Sequence, residues 1–264
     1  MPEDPVEIAP GVEVPAYETG EAQDGREEAR QFFARLPGSL NLNDARVLDV
    51  GCGTGDLCLE AARRGARRVL GVDIADARIR VAQVKLQGEP ALPVQFRSYD
   101  GDLAAIEERF DVILTKNSFE HYGAAAGSPS AEGMVAAMRD LLVDGGQLAI
   151  GFGPLWHAPF GGHLDVRLPY AHLIFPEEVI FDEFRRVRPP GKTARTFEEG
   201  TGVNRMTLSR FRSIMDRSGL ECLHVATNVS RNPAVRAMRH VARVPVLEKY
   251  CTQNVYGIWR KPAG

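Results

Sequence analysis

The sequence has little that would bind it to a disulfide framework, a structural metal or a membrane span. Its four cysteines (Cys52, Cys58, Cys222 and Cys251) are scattered through 264 residues with no C-x-x-C pair, so neither a zinc site nor a set of bridges is suggested. They read as reduced, small, buried thiols. No apolar run approaches the roughly 18 residues of a membrane-crossing helix. The opening Met1-Pro2-Glu3-Asp4 is acidic and lacks the basic and apolar regions of a secretion signal. A cytoplasmic protein with no membrane partner is therefore expected. Nor does one sign of charge dominate, with 32 Lys and Arg against 35 Asp and Glu. The charge is unevenly spread, however: residues 1–60 carry 13 acidic and 4 basic side chains, and residues 185–264 carry 5 and 16. Such asymmetry can mark an anionic partner, although surface arginines balancing an acidic front would look the same. A chain of this length can bury one sizeable core, and one domain is the default.

What is present centres on Val47-Leu48-Asp49-Val50-Gly51-Cys52-Gly53-Thr54-Gly55-Asp56. An apolar, β-branched run suits a buried parallel strand. The three alternate glycines let the backbone turn sharply and approach a ligand closely. A helix beginning there would aim its free N–H groups at the same spot. A dinucleotide fingerprint wants its third glycine one position later, where this chain has Asp56, which disfavours an NAD(P) oxidoreductase. The pattern Asp-x-Gly-x-Gly-x-Gly resembles the first motif of the class I S-adenosylmethionine-dependent methyltransferases. That resemblance implies a doubly wound, seven-stranded, mostly parallel α/β sheet and S-adenosyl-L-methionine as cofactor.

The order of the chain supports the comparison. Residues 1–25 are rich in Pro, Glu and Gly and read as an extended N-terminal arm, followed by a helix over 26–36. A second strand ends in Asp73-Ile74, 22 residues after Gly51, where a carboxylate can take both hydroxyls of a nucleoside ribose. A third strand runs into Asp100-Gly101-Asp102; the resemblance implies that Asp100 takes the adenine amino group, with Asp102 as alternative. A fourth strand runs into Lys116-Asn117-Ser118-Phe119-Glu120-His121. In such sheets the ligand crevice lies beyond the carboxyl ends of the strands, so Asn117 or Ser118 should border the reactive centre and His121 is a candidate base. The expected cofactor contacts are Asp49, Gly51, Gly53, Gly55, Asp73, Ile74, Asp100, Gly101 and Asn117. Strand–helix alternation continues through a fifth strand near Gln147–Phe152.

Two insertions then interrupt the domain expected over 26–264. The first, about 153–204, is too long for a simple connection, and such segments are usually functional. It holds His157, His163 and His172 among aromatic residues, and resembles the substrate cover of bacterial methyltransferases. The second, about 230–251, holds Arg231, Arg236, Arg239 and Arg243. Together they are expected to form a substrate cap, with the polar stretch from Arg188 to Gly202 as a gate. His157, His163, Asp165 and His172 lack the spacing of a zinc motif, so no metal is expected.

The function implied is methyl transfer to an oxygen or nitrogen of a small molecule, either an anionic compound or a secondary metabolite, with His121, His157 or His163 as base. A nucleic-acid methyltransferase fits the basic C-terminal part, but the fourth-strand segment lacks the Asn/Asp-Pro-Pro-aromatic signature of base-amino methylation. A cofactor-binding regulator, or non-methyl chemistry on the cofactor, stays open as an alternative. So does a homodimer.

Overall fold

A computed structural model describes residues 6–9, 12–14, 16–36, 38, 40–124, 127–163, 168–187 and 202–264; side chains are described at Glu7 and from Gly25 onward, save 184, 185 and 187. The chain opens with a small antiparallel pair, β1 (Val6–Ala9) and β2 (Val12–Val14), and helix α1 (Ala16–Arg35). Next comes a βα alternation: β3 (Arg46–Val50), α2 (Asp56–Arg63), β4 (Arg68–Asp73), α3 (Asp76–Gln87) and β5 (Val94–Ser98). It continues with β6 (Phe110–Lys116), α4 (Ala131–Leu141) and β7 (Leu142–Phe152). The first insertion carries α5 (Ala171–Ile174) and α6 (Glu177–Val187). After it come α7 (Leu208–Arg217), β8 (Glu221–Thr227), α8 (Pro233–Val241), α9 (Pro245–Cys251) and β9 (Val255–Arg260).

Seven strands form one sheet in the order β5-β4-β3-β6-β7-β9-β8. The first five in that order pair in parallel, and β9 slots antiparallel between β7 and β8. Central strands covered on both faces need apolar side chains on each, supplied by Val47, Leu48 and Val50 of β3 and by Val69, Leu70 and Val72 of β4. One face packs α1, α2 and α3 over Val47, Val69, Val112 and Ile258. The other packs α4 and α7 over Leu48, Leu70, Ile113 and Leu148. This is the doubly wound α/β sheet expected. Its strand order reverses between β3 and β6, the place where such sheets open a ligand crevice.

Two sequence-level expectations change. Residues 1–25 are not an extended arm: within the described part they form the β1–β2 pair and the first half of α1, which begins ten residues before the expected start at 26. The physical reason is local, because the stretch between Pro15 and Pro37 is rich in Ala, Glu, Gln and Arg and holds no internal proline. The fifth strand starts at Leu142 rather than Gln147. Its Asp144-Gly145-Gly146 turn is absorbed as a bulge, since Phe110 pairs with Leu142 but Val112 with Gln147. Gly145, at φ +77°, and Gly146 keep that bulge in register by exchanging hydrogen bonds with Lys261. The expected gate over 188–201 and Asp165 lie outside the described residues.

Phe119, Phe152 and Phe211 form a closed aromatic triangle, with ring centres 5.1–5.2 Å apart, that joins the segment after β6 to β7 and α7. All three are fully buried. Phe211→Ala therefore costs about 3–5 kcal/mol, read as a lowered midpoint in denaturant unfolding with little change of slope.

Candidate functional site

The turn after β3 is set by backbone conformation. Gly51, Gly53 and Gly55 sit at φ +76°, +53° and +83°, values that side-chain-bearing residues adopt only with strain. Each glycine also has a separate spatial reason. A Cβ on Gly51 would overlap the Ser118 hydroxyl, and one on Gly55 would lie 2.6 Å from the Phe96 ring. At Gly53 no atom lies within 4 Å of that position, so this backbone faces open space. The Gly53 N–H donates to Asp73 Oδ2 at 2.8 Å and the Ala75 N–H to Asp73 Oδ1 at 2.9 Å. One carboxylate thus ties the ends of β3 and β4 together. Asp76 is the first helical residue of α3, and Ala75 takes the cap position.

Asp56, the residue standing where a dinucleotide site has glycine, receives Lys85 Nζ at 2.5 Å and Thr54 Oγ1 at 2.9 Å. A side chain at Gly25 of α1 would overlap the Asp56 carboxylate. Helix α1 therefore closes directly over the glycine turn. Its Glu28 reaches Lys116 at 2.6 Å across the opening.

Between these elements lies a cleft of about 980 Å3. It is bounded by the glycine turn, Asp49, Asp73 and Ile74 on one side and by Lys116–Tyr122 on the other, with Gly153 and His163 from the start of the first insertion. Ile74 is 71% exposed, an apolar side chain offered to an occupant. Asn117 stands at φ +52° with its N–H held by Gly151 O, which turns the chain sharply out of β6. Asn204 fixes the residues just beyond that turn, donating through Nδ2 to Phe119 O at 2.9 Å and to Tyr122 O at 2.8 Å. The returning end of the first insertion thus clamps the segment that carries Ser118, Glu120 and His121.

Of the histidines, His121 and His163 both line the cleft, with ring centres 6.1 Å apart. One nitrogen of each is anchored to the backbone: His121 Nδ1 to Gly202 O at 2.7 Å and His163 Nε2 to Pro154 O at 3.0 Å. Burial pushes both imidazoles below the usual range, partly opposed by those carbonyls. His157 is not brought in. It packs beside Tyr250, ring centres 5.8 Å apart, outside the residues lining the cleft. Asp100 is not brought in either. Its exposed carboxylate accepts from Asp102 N at 3.0 Å within the Asp-Gly-Asp turn, while its neighbours Tyr99 and Gly101 face the cleft. Among the described residues no group of His, Cys, Asp and Glu is arranged to hold a metal ion.

Sequence reasoning passed over Tyr99 and Arg78 as cleft residues. Glu120 stands beside His121 in the sequence, but only the fold shows it buried. Asp49 and Glu120 are both buried, and Asp49 Oδ1 and Glu120 Oε2 have no hydrogen-bond partner. Burial dominates their titration. Asp49 is pushed up to about 7 by desolvation, opposed by a 3.3 Å contact from Cys58 Sγ and reinforced by Asp73. Glu120 is pushed up to about 8 by desolvation, with Lys116 pulling it down.

The fold and this cleft define the class I S-adenosylmethionine-dependent methyltransferase architecture. Residues 47–146 match the family model described as Methyltransferase domain. The ubiquinone biosynthesis O-methyltransferase of Cereibacter sphaeroides (strain ATCC 17025) is 38% identical over 119 residues, 45% of each chain. That of Pseudomonas fluorescens is 35% identical over 111 residues, 41% of this chain and 44% of the other. The chain thus spans less than half the length of these curated relatives. Among solved structures, the Synechocystis magnesium protoporphyrin IX methyltransferase with bound S-adenosylhomocysteine superposes with a TM-score of 0.51 at 18% identity, over 92% of this chain and 84% of that one. A geranyl diphosphate methyltransferase in complex with S-adenosylmethionine gives 0.57 at 14% identity, over 89% and 85%. At those identities the likeness is one of fold.

The raised carboxyls make stability fall with pH. Asp49 and Glu120 hold protons more tightly folded than unfolded, so their contribution is complete below about pH 4 and is lost as pH rises through about 7 and about 8. The ligand-free protein should melt at lower temperature at pH 8 than at pH 5 on their account. Asp49→Asn combined with Glu120→Gln should flatten that slope in thermal melts taken across the range.

Proposed function

We propose that the protein transfers a methyl group from S-adenosyl-L-methionine to a small-molecule acceptor, with an oxygen nucleophile favoured. The observation that carries this reading is the pairing of an open glycine turn, tied to Asp73, with two backbone-anchored histidines across the same cleft. The residues fit the cofactor. The space above Gly53 is a cradle that any Cβ would begin to fill, and Asp49 Oδ1 is a buried acceptor in its wall lacking a partner.

In this reading the Gly51–Gly55 backbone and Asp49 hold the amino-acid part of the cofactor. Asp73, which spends one acceptor position per oxygen on Gly53 and Ala75, keeps the remaining lone pairs for ribose hydroxyls. Ile74, Tyr99 and Gly101 border the base; Asp100 faces away and is replaced in that role by the Gly101 backbone. When bound, the cofactor supplies a methyl group on a positively charged sulfur, already activated for displacement. The protein's part is to orient the acceptor and exclude water. The segment Asn117–His121, clamped by Asn204, forms the wall from which that orientation is imposed.

An amine acceptor that is neutral needs no base, whereas a hydroxyl must lose its proton. His121 and His163, whose proton affinity is lowered chiefly by desolvation, are equipped to take one. Two anchored imidazoles in one cleft are what favours oxygen over nitrogen. The O-methyltransferase names of the sequence relatives support the same choice.

Two measurements test this. Calorimetry should show saturable binding of S-adenosylmethionine, sharply weakened in Gly51→Ala. That change strains the backbone by about 1–3 kcal/mol and displaces Ser118. Unchanged affinity would remove the glycine turn from the cofactor site. With a panel of phenols and alcohols as acceptors, His121→Ala or His163→Ala should lower kcat/KM by about 10²–10⁴ and erase the acid limb of the pH profile. That limb should lie below the ordinary histidine value of about 6.5. Tight cofactor binding with no transfer to any acceptor would instead favour a binding or non-methyl role.

A further inference from the structure

The large apolar side chains left exposed are not scattered. Of the thirteen among the described residues, eleven belong to the two insertions. The other two are Ile74 in the cleft and Val225 at the end of β8. Both insertions leave the sheet at one edge: Phe152 and Thr227 pair with the same residue, Val255, where β7 and β8 end. That is the carboxyl-terminal edge on which the cleft opens.

The second insertion is the most exposed part. Neither α8 nor α9 buries a single residue. Their shared corner presents Val241, Val244, Val246 and Leu247 to solvent, with Val246 at 74% exposure. Exposed groups of this kind mark interaction surfaces rather than folding errors. The surrounding charge is mainly basic, with Arg231 paired to Glu27 at 2.9 Å. Residues 230–251 carry five Arg and Lys against one acidic residue, Glu248. Glu248 is already held by Arg212 at 2.6 Å, so it does not neutralise the helix beside it.

Arg239 on α8 and Arg243 in the turn just after it line a concavity of about 390 Å3 with Thr227 and Glu248. Among the described residues neither arginine makes an ion pair. The patch reaches the first insertion through Tyr170, whose hydroxyl donates to Tyr250 O at 3.2 Å. This places α5, with Ile174 at 65% exposure, beside α9. The neighbouring α6 is acidic, but Glu177 is paired with Arg205 and Glu183 with Arg186.

We propose that the α8–α9 corner docks the protein on an anionic lipid surface. Val244, Val246 and Leu247 enter the interfacial layer, and Arg239 and Arg243 take headgroup phosphates. Short amphipathic helices that pair protruding aliphatic groups with a basic face are held at such surfaces by both contributions together. The lack of a membrane-crossing helix, from which no membrane partner was expected, does not bear on a contact made from one side. Docking in this way turns the cleft edge toward the bilayer, so an acceptor dissolved in the lipid would reach the site. That last consequence rests on the methyl-transfer reading; the docking itself does not.

The test is co-sedimentation of the full chain with vesicles of phosphatidylcholine alone and of phosphatidylcholine with phosphatidylglycerol, without cofactor or acceptor. The protein should sediment with the anionic vesicles only, and less so as salt is raised. Arg239→Gln with Arg243→Gln should weaken partition by roughly twentyfold, about fivefold per arginine. Val246→Asp with Leu247→Asp should abolish it. All four residues are exposed, and unchanged circular dichroism melts would show that the variants fold. A wild-type protein that stays in the supernatant overturns the proposal, as do both variants sedimenting like wild type. Capture of an acidic helical protein in place of vesicles overturns it too. Because no turnover is read, this result stands or falls separately from S-adenosylmethionine binding in the calorimeter.

Discussion

The hydrogen bond from the Gly53 N–H to the Asp73 carboxylate is the constraint on which the cleft depends. It joins two parallel strands at their carboxyl ends, next to the point where the sheet reverses its order. It holds only because Gly51, Gly53 and Gly55 accept left-handed backbone angles, so that β3 can turn within five residues into α2. With the turn fixed, Gly55 lets the loop press against Phe96 and Ala82, and α1 can lie down on Asp56. An arrangement this tight leaves one open position, above Gly53.

The facing wall is built differently. It is not a turn with its own conformational code but a segment held by the parts of the chain that return to it. Phe119 locks it from beneath through the aromatic triangle with Phe152 and Phe211. Asn204, arriving more than eighty residues later, satisfies two of its carbonyls. His121 is fixed by Gly202 and His163 by Pro154. The first insertion is thus the second half of the site, and its length serves to carry Pro154, His163, Gly202 and Asn204 to one place. Burial raises the proton affinity of Asp49 and Glu120, each with one carboxylate oxygen lacking a partner, a cost in stability located where an occupant can relieve it.

How much of the site is legible in the sequence depends on the range of each interaction. The turn, Asp73 and the doubly wound sheet can be read because strand, glycine spacing and strand-end carboxylate are local in sequence. Ile74, Gly101 and Asn117 line the cleft, as the same reasoning expects. Asp100 does not, because an Asp-Gly-Asp turn satisfies its own backbone, and the pattern does not say which way the carboxylate faces. His157 is grouped with His163 by nearness in sequence, yet they lie on different sides of the loop. The helix over 16–25 is hidden by Gly20 and Gly25 within it and by the prolines that precede it.

By itself the sequence determined one wall of the cleft: a strand that must be buried, a turn that only glycine can make, and an acidic strand end at the right distance. These are properties of short segments, and short segments carry their own physical chemistry. Tertiary structure alone decided which histidines share a cavity, that Glu120 is buried with one carboxylate oxygen lacking a partner, and that the apolar residues of two separate insertions emerge at one edge. Those outcomes depend on contacts between residues far apart in the chain, and no local pattern encodes which of several exposed or buried places a side chain will occupy.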